Sequence, residues 1–232
     1  MDTNTNSKFL PVAVIVAGLF IAGAVLWNGS HPSAGSPQAG GAAPAPSVDI
    51  KNVKTDGDPY LGKADAPVTI AFWSDFQCPF CKNFELDTLP QIIKEYVDTG
   101  KVKLVMMDFT FLGSDSTTAA LYSRSVWKLY PDQYFAWRTA MYTAQDEEGD
   151  QGFGDAASID KLDATIAGID AGKVAADVKA NTSTYQAAVD ADRAEAGKAG
   201  INATPGFVIG TQAILGAYPY ANFKAAIDAV LK

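Results

Sequence analysis

The stretch "SDFQCPFCKNF", residues 74–84, contains both cysteines of this 232-residue chain, Cys78 and Cys81. Pro79 follows the first of them, and proline is favoured at the first position of a helix, so Cys78 is expected at the N-cap. A sulfur there faces unpaired backbone N–H groups and the positive end of the helix dipole. Both favour the thiolate, which is the nucleophilic form of cysteine. The spacing therefore predicts a reactive sulfur at Cys78.

Cys81 lies one helical turn after Cys78, close enough to close a small disulfide ring. Such a ring constrains only a short loop and therefore adds little stability to a fold. A redox function, thiol–disulfide exchange through a mixed disulfide, is the favoured interpretation of the pair. The alternatives are a purely structural disulfide and half of a metal site.

The lack of histidine in the predicted folded region limits the other kinds of chemistry open to this chain. The one histidine, His31, lies in a segment predicted to be unfolded. Ser–His–Asp and Cys–His catalysis are thereby excluded from the folded region. Zinc prefers four ligands, and the chain offers no further cysteine and no usable histidine, so no metal site is predicted.

The composition indicates a globular region with an acidic surface. Hydrophobic residues make up 48% of the chain, enough for a full core, and the formal net charge is −8. A negative charge of this size argues against nucleic acid and anionic lipid surfaces as partners.

The N-terminal segment predicts a membrane anchor. Residues 9–27, "FLPVAVIVAGLFIAGAVLW", carry no charge and match the roughly 20 apolar residues of a transmembrane helix. An uncleaved anchor is favoured over secretion with a cleaved signal peptide, whose apolar core is usually shorter. Lys8 precedes the span, which places residues 1–8 in the cytoplasm and the rest outside. Residues 28–47 are rich in Gly, Pro, Ala and Ser and are expected to be a flexible linker.

Residues 48–232 are predicted to fold as one α/β unit. Residues 68–73 form a continuous apolar run, which is typical of a buried central strand. Helical periodicity follows from Pro79, and Gly100 is a good stop signal. A second strand at residues 101–109 completes a strand–helix–strand unit, whose strands are expected to be parallel with a right-handed crossover.

The second half of the folded unit adds a helical block and a hairpin. Residues 114–200 have helical patterning throughout and are expected to form a large helical insertion. After them, "FVIG" and "AIL" are typical of two short strands joined at residues 210–212. The closing segment, "YPYANFKAAIDAVLK", has the pattern of an amphipathic helix. The predicted order is therefore βαβ, the helical block, then ββα.

Two motifs in this order resemble the DsbA family of thioredoxin-fold disulfide oxidoreductases. They are "FWSDFQCPFCKNF" after a strand and "ATPGFVIG" at residues 203–210. Within the family, the chain is most similar to the membrane-tethered, BdbD-like members of Gram-positive bacteria. The resemblance covers about residues 50–232 and implies a thioredoxin fold that carries the helical insertion.

The resemblance also implies roles for individual residues. Cys78 corresponds to the exposed attacking sulfur, and Cys81 corresponds to the buried sulfur that resolves the mixed disulfide. Thr204 and Pro205 correspond to a cis-proline loop that faces the cysteines, where the backbone of Thr204 pairs with an extended substrate chain.

The chain departs from the family pattern around the thiolate. The best-known members carry a histidine between the cysteines, whereas this chain has Pro79 and Phe80. Lys82, one turn past Cys78, is the candidate that compensates in part. Relatives with this fold also place a buried acid six positions before the first cysteine, where this chain has Phe72. Asp75 is the candidate substitute, and the alternative is a solvated or capping residue of the loop.

The expected function is thiol–disulfide exchange outside the cytoplasmic membrane. The chain would donate the Cys78–Cys81 disulfide to exported proteins with free thiols, and it would need no other cofactor. A quinone-linked membrane oxidase is expected to re-form the disulfide, because the chain carries no quinone or flavin motif. The alternatives are a reductase or isomerase that runs the same chemistry in reverse, and a non-catalytic chaperone or carrier of a soft metal such as Cu(I).

Overall fold

The computed structural model describes residues 48–146 and 152–232. The predicted cytoplasmic segment 1–8, anchor 9–27 and linker 28–47 lie outside the described residues. Within the described part of the chain, no helix is both long enough and apolar enough to cross a membrane. The described residues form one compact unit.

A five-stranded mixed sheet forms the centre of this unit, in the order β1-β3-β2-β4-β5. Strands β2 and β3 are parallel, and the other neighbouring pairs are antiparallel. The strands are β1 (Tyr60–Leu61), β2 (Val68–Ser74), β3 (Val102–Asp108), β4 (Gly206–Ile209) and β5 (Gln212–Leu215). The α/β fold class and the parallel pair predicted from the sequence are confirmed, whereas β1 was not predicted.

Strand β2 is central because its side chains can be buried on both faces of the sheet. Ile70 and Phe72 enter a large core on one face, and Ala71 and Trp73 enter a second core on the other. The register runs from Val68 opposite Val102 to Ser74 opposite Asp108. Both parallel strands therefore end at the same edge, where the cysteine loop begins.

Helix α1 follows the cysteine loop without interruption from Pro79 to Val97. It consists of four consecutive segments: α-helical Pro79–Asn83, π-helical Phe84–Thr88, α-helical Leu89–Ile92 and π-helical Ile93–Val97. The first π-helical segment precedes Pro90, which has no N–H to donate. There the Leu89 N–H bonds to the Phe84 oxygen. Gly100 follows the helix with φ 74°, a conformation that glycine adopts without strain.

The described residues of the insertion between β3 and β4 form four helices, and the predicted helical block is confirmed. They are α2 (Ser114–Leu129), α3 (Tyr134–Ala144), α4 (Ala156–Asp163) and α5 (Ala171–Lys198). The hairpin turn is shorter than predicted, because Gln212 already pairs with Ile209 in the ladder.

The last helix, α6 (Tyr220–Val230), packs on the larger core through Phe223 and Ile227. Val230, its last residue, is 41% exposed. Phe84 of α1 contacts both Phe207 and Phe223, with ring centroids 4.6 and 5.1 Å apart. These contacts fix α1 against the sheet.

A buried arginine joins the insertion to the sheet. The Arg124 guanidinium of α2 donates to Asp108 at the end of β3 (2.8 Å), to Asp58 before β1 (2.5 Å) and to Asp192 of α5. Burial raises the pKa of Asp58 and Asp192, and the guanidinium opposes the rise. The cluster anchors three parts of the chain beside the strand ends that lead to the cysteines.

Candidate active site

Cys78 occupies the N-cap of α1, as predicted. Its backbone is extended (φ −81°, ψ 119°), and Pro79 takes the first helical position. The Cys78 N–H donates to the Asp75 carbonyl at 3.1 Å, which closes the loop between β2 and the helix. The sulfur is therefore held at the end of the helix where the N–H groups are unpaired.

The two sulfurs differ in environment. Cys78 is 4% exposed and Cys81 is fully buried. The expectation of an exposed Cys78 is too strong for this structure, because the Thr204 loop covers it: the Cys78 Sγ lies 3.5 Å from the Thr204 carbonyl oxygen. The expectation of a buried Cys81 agrees with the structure. Cys78 is the sulfur that retains access to the surface.

The surroundings of the two cysteines shift their pKa values in opposite directions. The pKa of Cys78 is lowered to about 6, first by a hydrogen bond from the Cys81 thiol. Burial opposes this lowering, and smaller contributions come from the Thr204 side chain and the backbone N–H groups of Cys81 and Phe80. The pKa of Cys81 is raised well above its usual range by burial and by the Cys78 thiolate. At neutral pH the pair therefore shares one proton, which Cys81 holds.

The low pKa of Cys78 leads to a direct prediction for the reduced chain. Its thiolate absorbance is expected to rise with a midpoint near pH 6, while the second thiol titrates only in strongly alkaline solution. The measurement is ultraviolet absorbance against pH, with the oxidised chain as the blank. Cys81→Ser should move the midpoint upward, because the Cys81 thiol is the largest cause of the low value. A single midpoint at the ordinary thiol pKa would contradict this assignment.

The same titration fixes the sign of the pH dependence of stability. The folded-state pKa of Cys78 lies below its unfolded value, so the stabilisation is complete above the unfolded pKa and is lost as pH falls through about 6. At pH 7 it contributes about 1 kcal/mol to the reduced form. The oxidised form has no thiol to titrate. The unfolding free energy of the reduced form should therefore fall relative to that of the oxidised form as the pH is lowered.

Asp75 is a buried anchor of the cysteine loop. Its carboxylate accepts hydrogen bonds from the Gln77 N–H (2.8 Å), the Ser116 hydroxyl (2.7 Å) and the backbone N–H groups of Phe111 and Leu112 (2.9 and 3.3 Å). The prediction of a solvated residue is wrong, and the capping alternative describes these bonds. Burial raises the pKa of this carboxyl, and the hydrogen bonds oppose the rise.

The position of Lys82, one turn past Cys78, suggested a contact with the sulfur, but the Lys82 ammonium bonds elsewhere. Its ammonium donates to the Gln145 carbonyl at 2.8 Å, at the end of α3. The helix geometry explains this, because a side chain four residues past the N-cap projects beside the first turn rather than over its end. The backbone N–H of Phe80 helps to lower the pKa of Cys78, while the Phe80 side chain is 61% exposed.

The Thr204–Pro205 peptide bond is cis, as the family resemblance implied. The loop lies beside Cys78 and borders a groove of about 320 Å³. The groove is lined by Phe80, Thr204, Leu215, Gly216, Ala217 and Tyr218. Among the residues that the structure describes, no charged side chain lines it, and Phe80 and Tyr218 are both exposed. The site therefore combines a reactive sulfur with an adjoining apolar surface.

A buried ion pair below the cysteine loop was not predicted from the sequence. The Arg138 side chain of α3 donates from Nε to the Glu85 carboxylate of α1 (3.0 and 3.1 Å) and from Nη2 to the Ser74 hydroxyl (2.9 Å). The guanidinium also lies over the rings of Phe72 and Tyr142, at 5.3 and 5.2 Å. It joins the insertion, the active-site helix and the end of β2.

Sequence signals for this pair exist. Glu85 lies four residues after Cys81 and so on the same helix face. Arg138 interrupts an apolar helix pattern next to Trp137 and Met141. A charge on an apolar face indicates a buried partner, but it does not identify that partner.

Comparison with known proteins agrees with the fold and the site. A family model described as thioredoxin matches residues 54–229. Disulfide bond formation protein D of Bacillus subtilis is 41% identical over 91 residues, which cover 39% of this chain and 41% of that protein. A probable disulfide bond formation protein D of Bacillus anthracis is 27% identical over 172 residues, covering 74% of this chain and 77% of that protein.

A solved structure extends the likeness over nearly the whole described region. The crystal structure of oxidised BdbD from Bacillus subtilis superposes with a TM-score of 0.71 at 29% identity. The match covers 80% of this chain and 97% of that one. The chain thus belongs to the thioredoxin family, and its cysteine site is that of a DsbA-like thiol–disulfide oxidoreductase.

Proposed function

We propose that this chain donates the Cys78–Cys81 disulfide to exported proteins that carry free thiols. The observation that carries the proposal is the low pKa of Cys78, about 6, beside a buried Cys81 thiol. A stabilised thiolate stabilises the reduced form of a cysteine pair, which makes the corresponding disulfide oxidising. The Cys78 thiolate is also a good leaving group.

The reaction balances over two exchange steps. A substrate thiolate attacks the Cys78 sulfur, a substrate–Cys78 bond forms, and Cys81 leaves as a thiolate that takes up a proton. A second substrate thiolate then attacks the substrate sulfur of the mixed disulfide and releases the Cys78 thiolate. Two electrons pass from the substrate to the cysteine pair.

This sequence corrects the role expected for Cys81. In the donating direction Cys81 is the first leaving group. Attack by Cys81 on the mixed disulfide would re-form the Cys78–Cys81 bond and return the substrate reduced. A resolving role for Cys81 therefore belongs to the reverse reaction, in which the chain acts as a reductase.

The groove beside Cys78 suits unfolded substrates. Phe80, Leu215 and Tyr218 together offer exposed apolar and aromatic surface next to the sulfur. Chains that have not yet folded expose apolar side chains, which bury surface when they bind such a groove. Thr204 lines this groove, and its carbonyl oxygen lies 3.5 Å from the Cys78 sulfur, so a bound chain would pass beside the cis bond between Thr204 and Pro205.

Two further features complete the proposed function. Residues 9–27 would anchor the chain in the cytoplasmic membrane, with residues 28–47 as the tether and the catalytic unit outside. A quinone-linked membrane oxidase would re-form the disulfide after each turnover. Both rest on the sequence pattern and on the family resemblance.

A transfer assay tests the donor function. The oxidised chain is mixed with a reduced, unfolded protein that has two cysteines, and the thiols of both are trapped by alkylation over time. The substrate is expected to lose two thiols for each cysteine pair that becomes reduced. A substrate that keeps its thiols while the Cys78–Cys81 disulfide stays intact would refute donation.

A further inference from the structure

One buried side chain of the helical insertion, Gln145, bonds to the backbone carbonyl of Cys78 itself. Gln145 caps the C-terminal end of α3 and is 5% exposed. Its amide Nε2 donates to two backbone carbonyls, that of Phe76 at 2.6 Å and that of Cys78 at 3.2 Å. One side chain from the insertion thus bridges the Phe76–Gln77 and Cys78–Pro79 peptide groups.

The Cys78 carbonyl is fixed twice. It accepts from the Lys82 N–H at 3.1 Å, which is the first hydrogen bond of α1, and from the Gln145 amide. The two bonds use both lone pairs of the oxygen and fix the plane of the peptide that starts the helix. Lys82 supports the arrangement from the helix side, because its ammonium holds the Gln145 carbonyl at 2.8 Å.

We propose that Gln145 is a positioning residue that fixes the first peptide of α1 and so holds the Cys78 sulfur against the backbone N–H groups of the first turn. This inference rests on the proposed function of the same site and gives the insertion a part in it. Gln145 does not touch the reacting sulfur. Gln145 acts through the backbone carbonyl of Cys78, the residue that carries the sulfur.

Electrostatics around Cys78 make the effect measurable. The backbone N–H groups of Phe80 and Cys81 lower the pKa of Cys78, and their direction depends on that first peptide. Other ionisable groups at the loop or directly below it include Cys81, Asp75, Lys82, Tyr142 and the Arg138–Glu85 pair, and the variants tested below leave all of them in place. Because methionine at position 145 adds no charge, a change in the Cys78 titration of that variant would report the position of the sulfur.

The test compares Gln145→Met with Gln145→Glu. Methionine keeps the length of the side chain without its donors, and glutamate keeps its shape but replaces the donors with a negative charge. We expect Gln145→Met to lower the ratio of thiolate to thiol at neutral pH about fivefold, the size expected for weakening one ordinary hydrogen bond. Gln145→Glu should lower it further. The readout is thiolate absorbance against pH on the reduced full chain, with circular dichroism to confirm folding.

The control is Gln186→Met on α5, which removes a glutamine amide whose hydrogen bond to Asp190 is exposed to solvent. Its titration should match that of the unchanged chain. The inference is overturned if both Gln145 variants fold and titrate as the unchanged chain does. Because this titration uses no substrate, its result is independent of the transfer assay, so a failed inference and a failed donor function give different outcomes.

Discussion

Replacing Cys78 with serine is expected to reduce disulfide transfer to the rate of the uncatalysed exchange. The chain has two cysteines, and Cys81 is fully buried, so no other sulfur can meet a substrate thiolate. The measurement is the transfer assay with a reduced two-cysteine protein, followed by alkylation of the remaining thiols.

Cys81→Ser gives the matched comparison, because it removes the leaving group and keeps the attacked sulfur. This variant, once its Cys78 is joined to a small thiol, should pass through a covalent complex with the substrate on Cys78 that cannot close back to an enzyme disulfide. The complex should be visible on a non-reducing gel and should disappear with reductant. Equal rates of disulfide transfer by the Cys78→Ser variant and by the unchanged chain would contradict thiol chemistry at this site. Such a result would favour a non-catalytic function such as that of a chaperone.

Arg138→Met is expected to destabilise the fold by about 3–5 kcal/mol, the usual cost of leaving a buried charge without its partner. The guanidinium is 1% exposed and pairs with Glu85, which is 4% exposed. Its removal also leaves the Ser74 hydroxyl without the Arg138 donor. The measurement is denaturant unfolding of the variant and of the unchanged chain, both in the oxidised form.

Two further variants separate the buried charge from the loss of a long side chain. Arg138→Met combined with Glu85→Leu removes both charges and should recover much of the lost stability, because neither charge is then left unpaired. Lys128→Met removes a half-exposed lysine that pairs with Asp177, and solvent screening should make its effect small. An Arg138→Met cost no larger than that of Lys128→Met would show that the buried pair does not stabilise the fold.

Local sequence patterns predict the parts of the fold that are determined locally. The apolar run of β2 predicts a strand buried on both faces without knowledge of its neighbours. Pro79 predicts the start of α1 because its fixed φ suits the first helical position. Cys78 therefore follows as the N-cap without knowledge of the rest of the fold. The helical insertion is equally predictable, because its periodicity extends over tens of residues.

Contacts between distant segments are not predictable in this way. Gln145 and Phe76 are 69 positions apart, and Arg138 and Glu85 are 53 apart. The apolar neighbours of Arg138 indicate that it is buried, but no local pattern identifies the partner of Arg138 or of Gln145 before the insertion packs on the sheet. Lys82 shows the same limit, because its position near Cys78 in the sequence suggested an electrostatic role, whereas its ammonium binds the end of α3. Thr204 is placed by the family resemblance, not by a local pattern.

The reduction potential of the Cys78–Cys81 pair tests the central claim most directly. The chain is equilibrated in glutathione buffers of known ratio, and its thiols are trapped by alkylation and counted. A disulfide donor with a stabilised Cys78 thiolate should have a potential well above about −200 mV, toward the oxidising end of this fold. A value near about −270 mV, the thioredoxin end, would contradict the donor function and identify the chain as a reductase or isomerase.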